Sequence, residues 1–378
     1  MRILILNSRC NDLQSVNKIS LDIIEAYKEN NFFDVCLLDL ERDVNTSLND
    51  LRKIAHADAI VVAHPLIYRH PSFPLFLKLM NKKQKIVLHL FGDFVRQMKI
   101  FISLEDILKD RNVCFLVPSE GFWNVVSPLF NKAEDLRVIP FPVDGPISLD
   151  AKKDETKKIE VVYCGRVSKS KNIKGLIPFL SYLNQEKISF HLNIVGAFDD
   201  FEYSVDTSER KLGDTFFELQ ELLRRKDVTY HGQLNKDQMS HLYQRMDLFI
   251  SLSRYHDDDF GRAPVEALFK GIPCVLTHWI GYRDLIKNHA SSVFGVHGDR
   301  FFGFKEWWLS YNSEKQIRMK DLEQSLKRYD ILEVGLKYEQ NLKNSSFEFR
   351  GFTDEARELD PNHINSDLYL KMYGDKHE

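Results

Sequence analysis

Short apolar runs alternate with longer amphipathic stretches along most of this chain, and the alternation occurs in two series. Six strand-like runs fall in the first half, at Ile3–Leu6, Val35–Leu40, Ala59–Ala63, Ile86–Leu90, Val113–Val117 and Val138–Pro140. Six more follow, at Val161–Cys164, His191–Val195, Val228–Tyr230, Leu248–Ser251, Cys274–Leu276 and Val293–Val296. Alternation of this kind is typical of parallel βα units. The chain is therefore expected to form two consecutive doubly wound α/β domains.

The pattern breaks at residues 146–157, a polar and highly charged stretch with little to bury. Such composition predicts a linker. A chain of 378 residues also exceeds what one hydrophobic core usually organises. We therefore expect a domain at 1–145, a second at 158–300, and a helical segment at 301–378 that packs back across both.

Composition excludes several other classes of protein. The formal net charge of -3 gives no electrostatic reason to expect nucleic-acid binding. The five cysteines are widely spaced, and all but Cys10 lie in apolar runs, which predicts reduced core residues of a cytoplasmic protein rather than a disulfide or zinc framework. No apolar run approaches the ~18 residues of a spanning helix, so any membrane contact is expected to be peripheral.

Ligands of doubly wound sheets bind at the carboxyl ends of the strands, and three such loops are informative. The first contains Gly165, Arg166 and Lys171 ahead of a helix that begins near Asn172. Glycine admits a ligand to the backbone, and two cations beside a helix start suit a diphosphate. A solvated basic loop is the alternative. Neither the Walker motif nor a GxGxxG fingerprint occurs here, which disfavours the common ATPases and dehydrogenases.

The second loop follows the strand Val228–Tyr230 and begins His231-Gly232. Gly232 would let backbone groups face a planar base. His231 is a candidate catalyst, although a histidine that only caps a strand edge is the favoured interpretation.

The third loop contains Asp257, Asp258 and Asp259 in the stretch YHDDDFGR. Three adjacent carboxylates fit a metal site, a solvated charge run, or one placed acid with two neighbours. A short helix follows, with Pro264 in its first turn, and Glu266 lies one turn into it. Carboxylates accept hydrogen bonds from sugar hydroxyls, and the free N–H groups of a helix start bind oxygen ligands.

These segments together resemble the retaining glycosyltransferases of the GT-B type, family four. The resemblance lies in Gly165-Arg166 with Lys171, and in Asp258-Asp259-Phe260-Gly261 with Glu266 and the following Ala267, Gly271 and Pro273. It implies a GT-B fold, in which two Rossmann-like domains face a cleft. It also implies an enzyme that moves a hexosyl group from a UDP- or GDP-sugar to a glycan or glycolipid, in polysaccharide or lipopolysaccharide synthesis.

The resemblance assigns roles residue by residue. Arg166 and Lys171 would hold the donor diphosphate and stabilise the charge that grows on it. Glu266 would bind the donor ribose, and Asp258 would lie near the donor sugar, one methylene shorter than the family's usual glutamate. The remaining donor-binding residues are Gly165, Gly232, Phe260, Gly261, Arg262 and Ala263.

The family's usual reaction retains the anomeric configuration without a divalent metal, and it needs no cofactor besides the nucleotide-sugar substrate. Two alternatives stay open. One is a catalytically silent subunit of the same fold that binds or scaffolds, and the other is a nucleotide-sugar epimerase.

The first half offers weaker candidates. His89 and Asp93 lie near the position where family members often carry a sugar-contacting histidine, but a strand histidine and a helix-capping aspartate explain them equally well. Around them, one acid, Asp93, is outnumbered by seven cations, at Arg69, Lys78, Lys82, Lys83, Lys85, Arg96 and Lys99. Interleaved apolar residues make this stretch a candidate for contact with the anionic inner face of a membrane, with a solvated basic face as the alternative.

Overall fold

The computed structural model describes residues 1–8, 14–40, 48–91, 94, 97–109, 111–145, 158–168, 171–198, 214–254, 258–298, 300–344, 347 and 349–358. These residues form two compact units, and the second is continuous in sequence, from Gly145 to Lys327. The first contains residues 1–144 and the residues from 328 on. Each unit is built on a parallel six-stranded sheet.

The sheet of the first unit has the strand order β2-β1-β3-β4-β5-β6. Its strands are β1 (Arg2–Asn7), β2 (Asp34–Asp39), β3 (Ala59–Val62), β4 (Lys85–His89), β5 (Asn112–Val117) and β6 (Leu136–Val138). The helices between them are α1 (Gln14–Lys28), α2 (Leu48–His56), α3 (Phe73–Leu79), α4 (Met98–Lys109) and α5 (Glu120–Val126).

The sheet of the second unit has the order β12-β11-β10-β7-β8-β9. Its strands are β7 (Ile159–Cys164), β8 (Phe190–Val195), β9 (Val228–Tyr230), β10 (Leu248–Ser251), β11 (Cys274–Thr277) and β12 (Val293–Val296). Its helices are α6 (Leu176–Gln185), α7 (Asp214–Leu223), α8 (Lys236–Tyr243), α9 (Arg262–Phe269), α10 (Ile280–Asn288), α11 (Phe304–Ser313) and α12 (Lys315–Leu326).

Two further helices, α13 (Ile331–Asn344) and α14 (Asp354–Glu358), complete the first unit. Helix α13 packs on α1, where the rings of Tyr27 and Tyr338 stack with their centroids 4.5 Å apart. The approach is close, because a Cβ on Gly335 would stand 2.5 Å from the carbonyl oxygen of Ala26. The segment expected at 301–378 is thus divided in the structure, with α11 and α12 in the second unit. The expected linker, 146–157, lies outside the described residues.

Two expectations from the sequence are wrong in detail. Strand β6 is Leu136–Val138 rather than Val138–Pro140, because Pro140 has no N–H for the ladder. Cys36 was expected in the core, but its side chain is exposed. It lies on β2, which is the edge strand of its sheet. Cys114 and Cys274 are buried, as expected.

Helix α3 carries the apolar residues of the basic stretch. Phe73 and Phe76 are buried, whereas Leu75 and Leu79 are exposed on the other side of the helix. Lys78, Lys82 and Lys83 are also exposed around it. No helix in the described ranges combines the length and the apolar character needed to cross a membrane.

Candidate functional site

Three glycines lie at the carboxyl ends of three neighbouring strands in the second unit. Gly165 follows β7, Gly196 follows β8, and Gly232 comes two residues after β9. The Gly196 N–H donates to the Gly232 carbonyl at 2.8 Å, and a Cβ on Gly196 would stand 1.8 Å from the Gly165 carbonyl oxygen. Gly232 has φ +66°, and a Cβ there would meet nothing within 4 Å. The backbone at Gly232 is therefore bare, which permits a flat ligand group to approach it closely.

The chain order of the second sheet reverses beside β7, whose neighbours are β10 and β8. Crevices for ligands form at such switch points, outside the carboxyl ends of the strands. Two loops meet there: the β7 loop, residues 165–175, and the β10 loop, residues 252–261. Residues 169–170 and 255–257, among them Asp257, lie outside the described part of the chain.

Asn172 joins the two loops. It has left-handed backbone angles, φ 52° and ψ 50°, which asparagine tolerates better than most residues. Its Nδ2 donates to the Leu252 carbonyl at 2.9 Å, and its Oδ1 accepts from the Gly175 N–H at 3.2 Å. This contact fixes the β7 loop on the first residue of the β10 loop.

Lys171 and Asp258 form an ion pair between the same loops. The Lys171 Nζ lies 2.5 Å from the Asp258 Oδ1, and the two side chains are only 16% and 11% exposed. A pair so little exposed is screened less by water than a surface pair. The structure therefore brings together two residues that the sequence separates by 87 positions.

A buried shell holds the Asp258 carboxylate from the other side. The fully buried Ser253 donates its hydroxyl to the Asp258 Oδ2. The Thr277 hydroxyl in turn donates to the Ser253 carbonyl, and the Gly281 N–H donates to the Asp258 carbonyl at 3.0 Å. Both carboxylate oxygens of Asp258 are thus engaged, one by Lys171 and one by Ser253.

Helix α9 begins at the end of the β10 loop. Its N-cap is Gly261, with φ +86°, and a Cβ there would stand 2.8 Å from the ring of Tyr282. Both facts require glycine. The third helical residue is Pro264, which has no N–H, and the first turn of any α-helix leaves its N–H groups without a partner in the helix. The N–H groups of Arg262 and Ala263 therefore point out of the amino end of the helix and make no hydrogen bond within it.

Arg262 and Glu266 form an ion pair one turn apart on α9. The Arg262 Nε donates to the Glu266 Oε1 at 2.8 Å. The pair fixes the carboxylate of Glu266 on the partly exposed face of the helix. Phe260, just before the helix, is buried and contributes to the core.

Arg166 follows Gly165, and its carbonyl accepts a hydrogen bond from the hydroxyl of the buried Tyr163 at 2.7 Å. Burial raises the pKa of Tyr163 well above its ordinary value, so the phenol stays a donor. The neighbouring Cys164 is half-buried, and desolvation of its thiol, followed by the negative charge of Glu266, raises its pKa to about 12. A thiol with this pKa is not a nucleophile at neutral pH.

His231 is engaged within its sheet. Its Nε2 lies 2.9 Å from the Asn193 Oδ1, and burial, followed by the positive charge of Arg245, lowers its pKa. This placement favours the strand-edge interpretation over a catalytic one.

His89 lies in the core of the first unit. It is the last residue of β4, and its ring makes edge contacts with Tyr27 and Tyr338 at 6.2 and 5.2 Å. Burial lowers its pKa to about 3. The placement favours a strand histidine over a sugar-contacting residue. Asp93 lies outside the described residues.

Sequence reasoning missed several residues that build this site. Gly196, Asn172, Ser253 and Thr277 act through contacts with chain segments far away in sequence. Only Gly196 carried a usable signal, since it follows its strand directly, as Gly165 does. Within the described ranges, no group of three or more His, Cys, Asp or Glu residues has metal-binding geometry.

Comparison with known proteins finds a family model that matches the region of this site. Residues 148–300 match the model of the family described as glycosyl transferases group 1. An uncharacterized 41.2 kDa protein in the cps region of Klebsiella pneumoniae is 21% identical over 250 residues, which cover 60% of this chain. The match spans 64% of that relative's length.

Solved structures share the fold at low identity. The Anabaena protein HepE, in complex with UDP and glucose, is similar with a TM-score of 0.65 and 15% identity, over 91% of this chain and 100% of that one. The lipopolysaccharide outer core galactosyltransferase WaaB, in its apo form, is similar with a TM-score of 0.62 and 14% identity, over 90% of this chain and 99% of that one. Residues 148–300 therefore resemble the glycosyl transferases group 1 family, and the chain has the GT-B fold of the solved structures.

Proposed function

We propose that this protein transfers a sugar from a nucleotide-sugar donor to a hydroxyl group of a glycan or glycolipid, with retention of the anomeric configuration. The observation that carries the proposal is the meeting of the β7 loop, the β10 loop and the start of α9 at the switch point of one sheet. These elements combine cations, the N–H groups of a helix start and carboxylates, which are the groups that a sugar nucleotide needs.

The donor diphosphate binds Arg166 and Lys171 together with the N–H groups of Arg262 and Ala263. In the reaction the bond between the sugar and the diphosphate breaks, and negative charge accumulates on the leaving nucleoside diphosphate. Cations and N–H dipoles that are already in place stabilise that charge, and they do so more effectively than water, which must reorient. No divalent metal and no cofactor are part of this proposal.

The nucleoside lies along α9 and the bare glycine edge. The ribose hydroxyls donate to Glu266, whose carboxylate Arg262 holds in place. The base packs over Gly232, where no side chain intervenes. The glycine row therefore serves the base, and the helix serves the ribose and the diphosphate.

Asp258 has a double role in this proposal. Before the donor binds, it neutralises Lys171 through the 2.5 Å contact. When the donor binds, its diphosphate competes with Asp258 for the Lys171 ammonium group. The Asp258 carboxylate then becomes available to accept a hydrogen bond from a sugar hydroxyl.

The relatives support a substrate class. HepE was crystallised with UDP and glucose, which supports a UDP-hexose donor, and WaaB is named as a galactosyltransferase of lipopolysaccharide. The cps-region relative supports an acceptor in cell-surface polysaccharide synthesis. We propose a cytoplasmic enzyme that meets a lipid-linked acceptor at the inner face of the membrane through α3 and its exposed lysines.

The test is a panel of UDP- and GDP-hexoses, incubated with the purified full chain with and without glycan or glycolipid acceptors, in the presence of EDTA. We expect release of the nucleoside diphosphate that depends on the acceptor. We also expect the new glycosidic bond to have the same anomeric configuration, axial or equatorial, as the sugar–phosphate bond of the donor. Failure to bind any nucleotide sugar would refute the proposal, and activity that EDTA abolishes would refute its metal-free part. Epimerised free donor would identify an epimerase, and donor binding without turnover would identify a silent subunit.

Variants assign the leaving-group role. Arg166→Ala and Lys171→Ala are each expected to lower kcat by about 10²-fold, the scale of one lost oxyanion contact. Lys174→Ala is the matched control, because Lys174 is exposed close by on the same loop. Equal kcat values of Arg166→Ala, Lys171→Ala and Lys174→Ala would contradict the stabilisation of the leaving diphosphate by Arg166 and Lys171.

A further inference from the structure

A second cluster of basic side chains lies at the same edge of the second sheet, beyond the site described above. His278 directly follows β11, and His297 directly follows β12. Their imidazole rings stack, with centroids 3.9 Å apart and planes 15° apart. The two nearly parallel rings therefore lie against each other at the carboxyl ends of two adjacent strands.

The position of His278 depends on a glycine beneath it. A Cβ on Gly295 would stand 2.4 Å from the His278 Nε2. At that distance the two atoms would overlap, so the imidazole could not keep this position beside any residue other than glycine. The His278 N–H donates to the Val296 carbonyl at 3.0 Å, so the backbone is fixed as well. The half-buried His278 is thus held in place by β12, which the exposed His297 directly follows.

Two arginines lie near the pair: Arg254 approaches the residue that follows His297, and Arg283 is close enough for its charge to act on His278. The Arg254 Nη2 lies 3.7 Å from the Cβ position of Gly298, which follows His297. Burial, followed by the positive charges of His297 and Arg283, lowers the pKa of His278 to about 4. The charged groups that act on His278 are therefore cations. At neutral pH its imidazole is neutral and offers one N–H donor in a positive surrounding.

We propose that Arg254, His278 and His297 form an oxyanion site, which binds a phosphate or carboxylate group. A guanidinium and two imidazoles supply several N–H donors and no acceptor charge, which is the composition of an anion site. A histidine pair also suits a transition metal, but Arg254 and Arg283 repel a cation.

The cluster adjoins the proposed donor site through the backbone. Thr277, just before His278, bonds to the carbonyl of Ser253, and Ser253 holds Asp258. Arg254 is the next residue after Ser253. We therefore assign the oxyanion to a substrate in the same crevice, either a charged acceptor or an acidic donor sugar. This assignment to a substrate rests on the proposed function, whereas the oxyanion site itself does not.

Inorganic phosphate is the probe for the site. The full chain is titrated with phosphate at constant pH and ionic strength, while the imidazole NMR signals of His278 and His297 are followed. We expect saturable shifts of both rings, and we expect His297→Gln and Arg254→Gln each to weaken binding about tenfold, the scale of one hydrogen bond to a charged group. His241→Gln, an exposed histidine of α8, is the matched control and should bind as the wild type does.

Several outcomes would overturn the site: no saturable shift, equal affinity in the cluster variants and the control, or rings that respond to Zn²⁺ and not to phosphate. The Arg166→Ala variant separates this site from the donor site, because it should keep the shifts of both rings. His297→Gln should in turn keep nucleoside diphosphate binding.

Transfer assays then identify the source of the oxyanion. Pairs of charged and neutral acceptors, and of acidic and neutral donor sugars, are compared in the wild type and in His297→Gln. A KM raised about tenfold for charged acceptors alone, or for acidic donors alone, would support that source. Equal KM values throughout would overturn the assignment to a substrate, even where the rings bind phosphate.

Discussion

Asp258→Asn tests whether this carboxylate restrains Lys171 before a donor binds. The asparagine side chain keeps the size of the aspartate and still accepts from Ser253, but it carries no charge. Lys171 then loses its ion-pair partner, and its ammonium group becomes available to an incoming diphosphate. Nucleoside diphosphate binding should become tighter, while the variant itself becomes less stable.

The structure sets the size of both effects. Two unit charges about 4 Å apart attract by about 4 kcal/mol at an effective dielectric constant near 20, and breaking a fully buried pair costs about 3–5 kcal/mol. Because the Lys171 and Asp258 side chains are 16% and 11% exposed, water screens part of this. We expect the free energy of unfolding to fall by about 2 kcal/mol, and nucleoside diphosphate to bind about tenfold more tightly, which corresponds to about 1.4 kcal/mol.

Urea unfolding and calorimetric titration with UDP measure the two quantities. Asp227→Asn is the matched control, since it breaks another aspartate ion pair, with Arg225 at 2.9 Å. That pair lies at the amino end of β9, whereas the candidate site lies at the carboxyl ends of the strands. Asp227 precedes β9, so UDP affinity should not change there. Weaker UDP binding by Asp258→Asn than by the wild type, or equal affinity in the two variants, would refute the restraint.

Three further predictions concern the glycine row of the second unit, the buried His64 of the first unit and the basic stretch. Gly196→Ala should lower the free energy of unfolding by about 3 kcal/mol or more through steric overlap with the backbone, whereas Gly232→Ala should cost about 1 kcal/mol from its positive φ alone; equal costs in urea unfolding would contradict the crowding. Burial lowers the pKa of His64 to about 4, so the unfolded chain binds the proton first. The contribution of His64 to stability should therefore be full above pH 6.5 and fall by about 2–3 kcal/mol towards pH 4. Because the pKa of His89 is lowered too, this contribution is measured as the difference between the wild type and His64→Gln, and equal pH profiles of the two proteins would exclude it. The wild type should co-sediment with anionic liposomes at low salt and not at high salt. Exchange of Lys82 and Lys83 for glutamate should abolish this binding at low salt as well. Unchanged binding by that variant would count against the membrane contact of α3.

The strands were predictable because each one is a short apolar run with polar or glycine boundaries. The bounds of β9, β10 and β12 are those expected from the sequence. Edges were less predictable, since Cys36 lies in an apolar run yet on an outer strand. Which strand lies at an edge follows from the strand order, and a run of residues carries no information about that order.

The position of the candidate site was predictable for the same reason. Carboxyl ends of parallel strands meet at one edge, so glycine, cations and acids that follow strands must come close together. The direct contact of Lys171 with Asp258 was not predictable, because it depends on β7 and β10 being neighbours. Ser253 and Asn172 carried no signal, as a serine or an asparagine in a loop fits many roles.

The aspartate at position 258 changes the electrostatics of the β7 loop more than the loss of a methylene suggests. Its short side chain reaches Lys171 with one oxygen and Ser253 with the other, so Asp258 neutralises one of the cations of this loop before a donor binds. Diphosphate affinity then depends on the competition between ligand and carboxylate for one ammonium group. Asp258→Glu keeps that charge but moves it by one methylene away from the buried Ser253, so it should bind UDP between the wild type and Asp258→Asn. UDP affinity in Asp258→Glu above that of Asp258→Asn would show that the distance to Ser253, and not the charge, governs the competition.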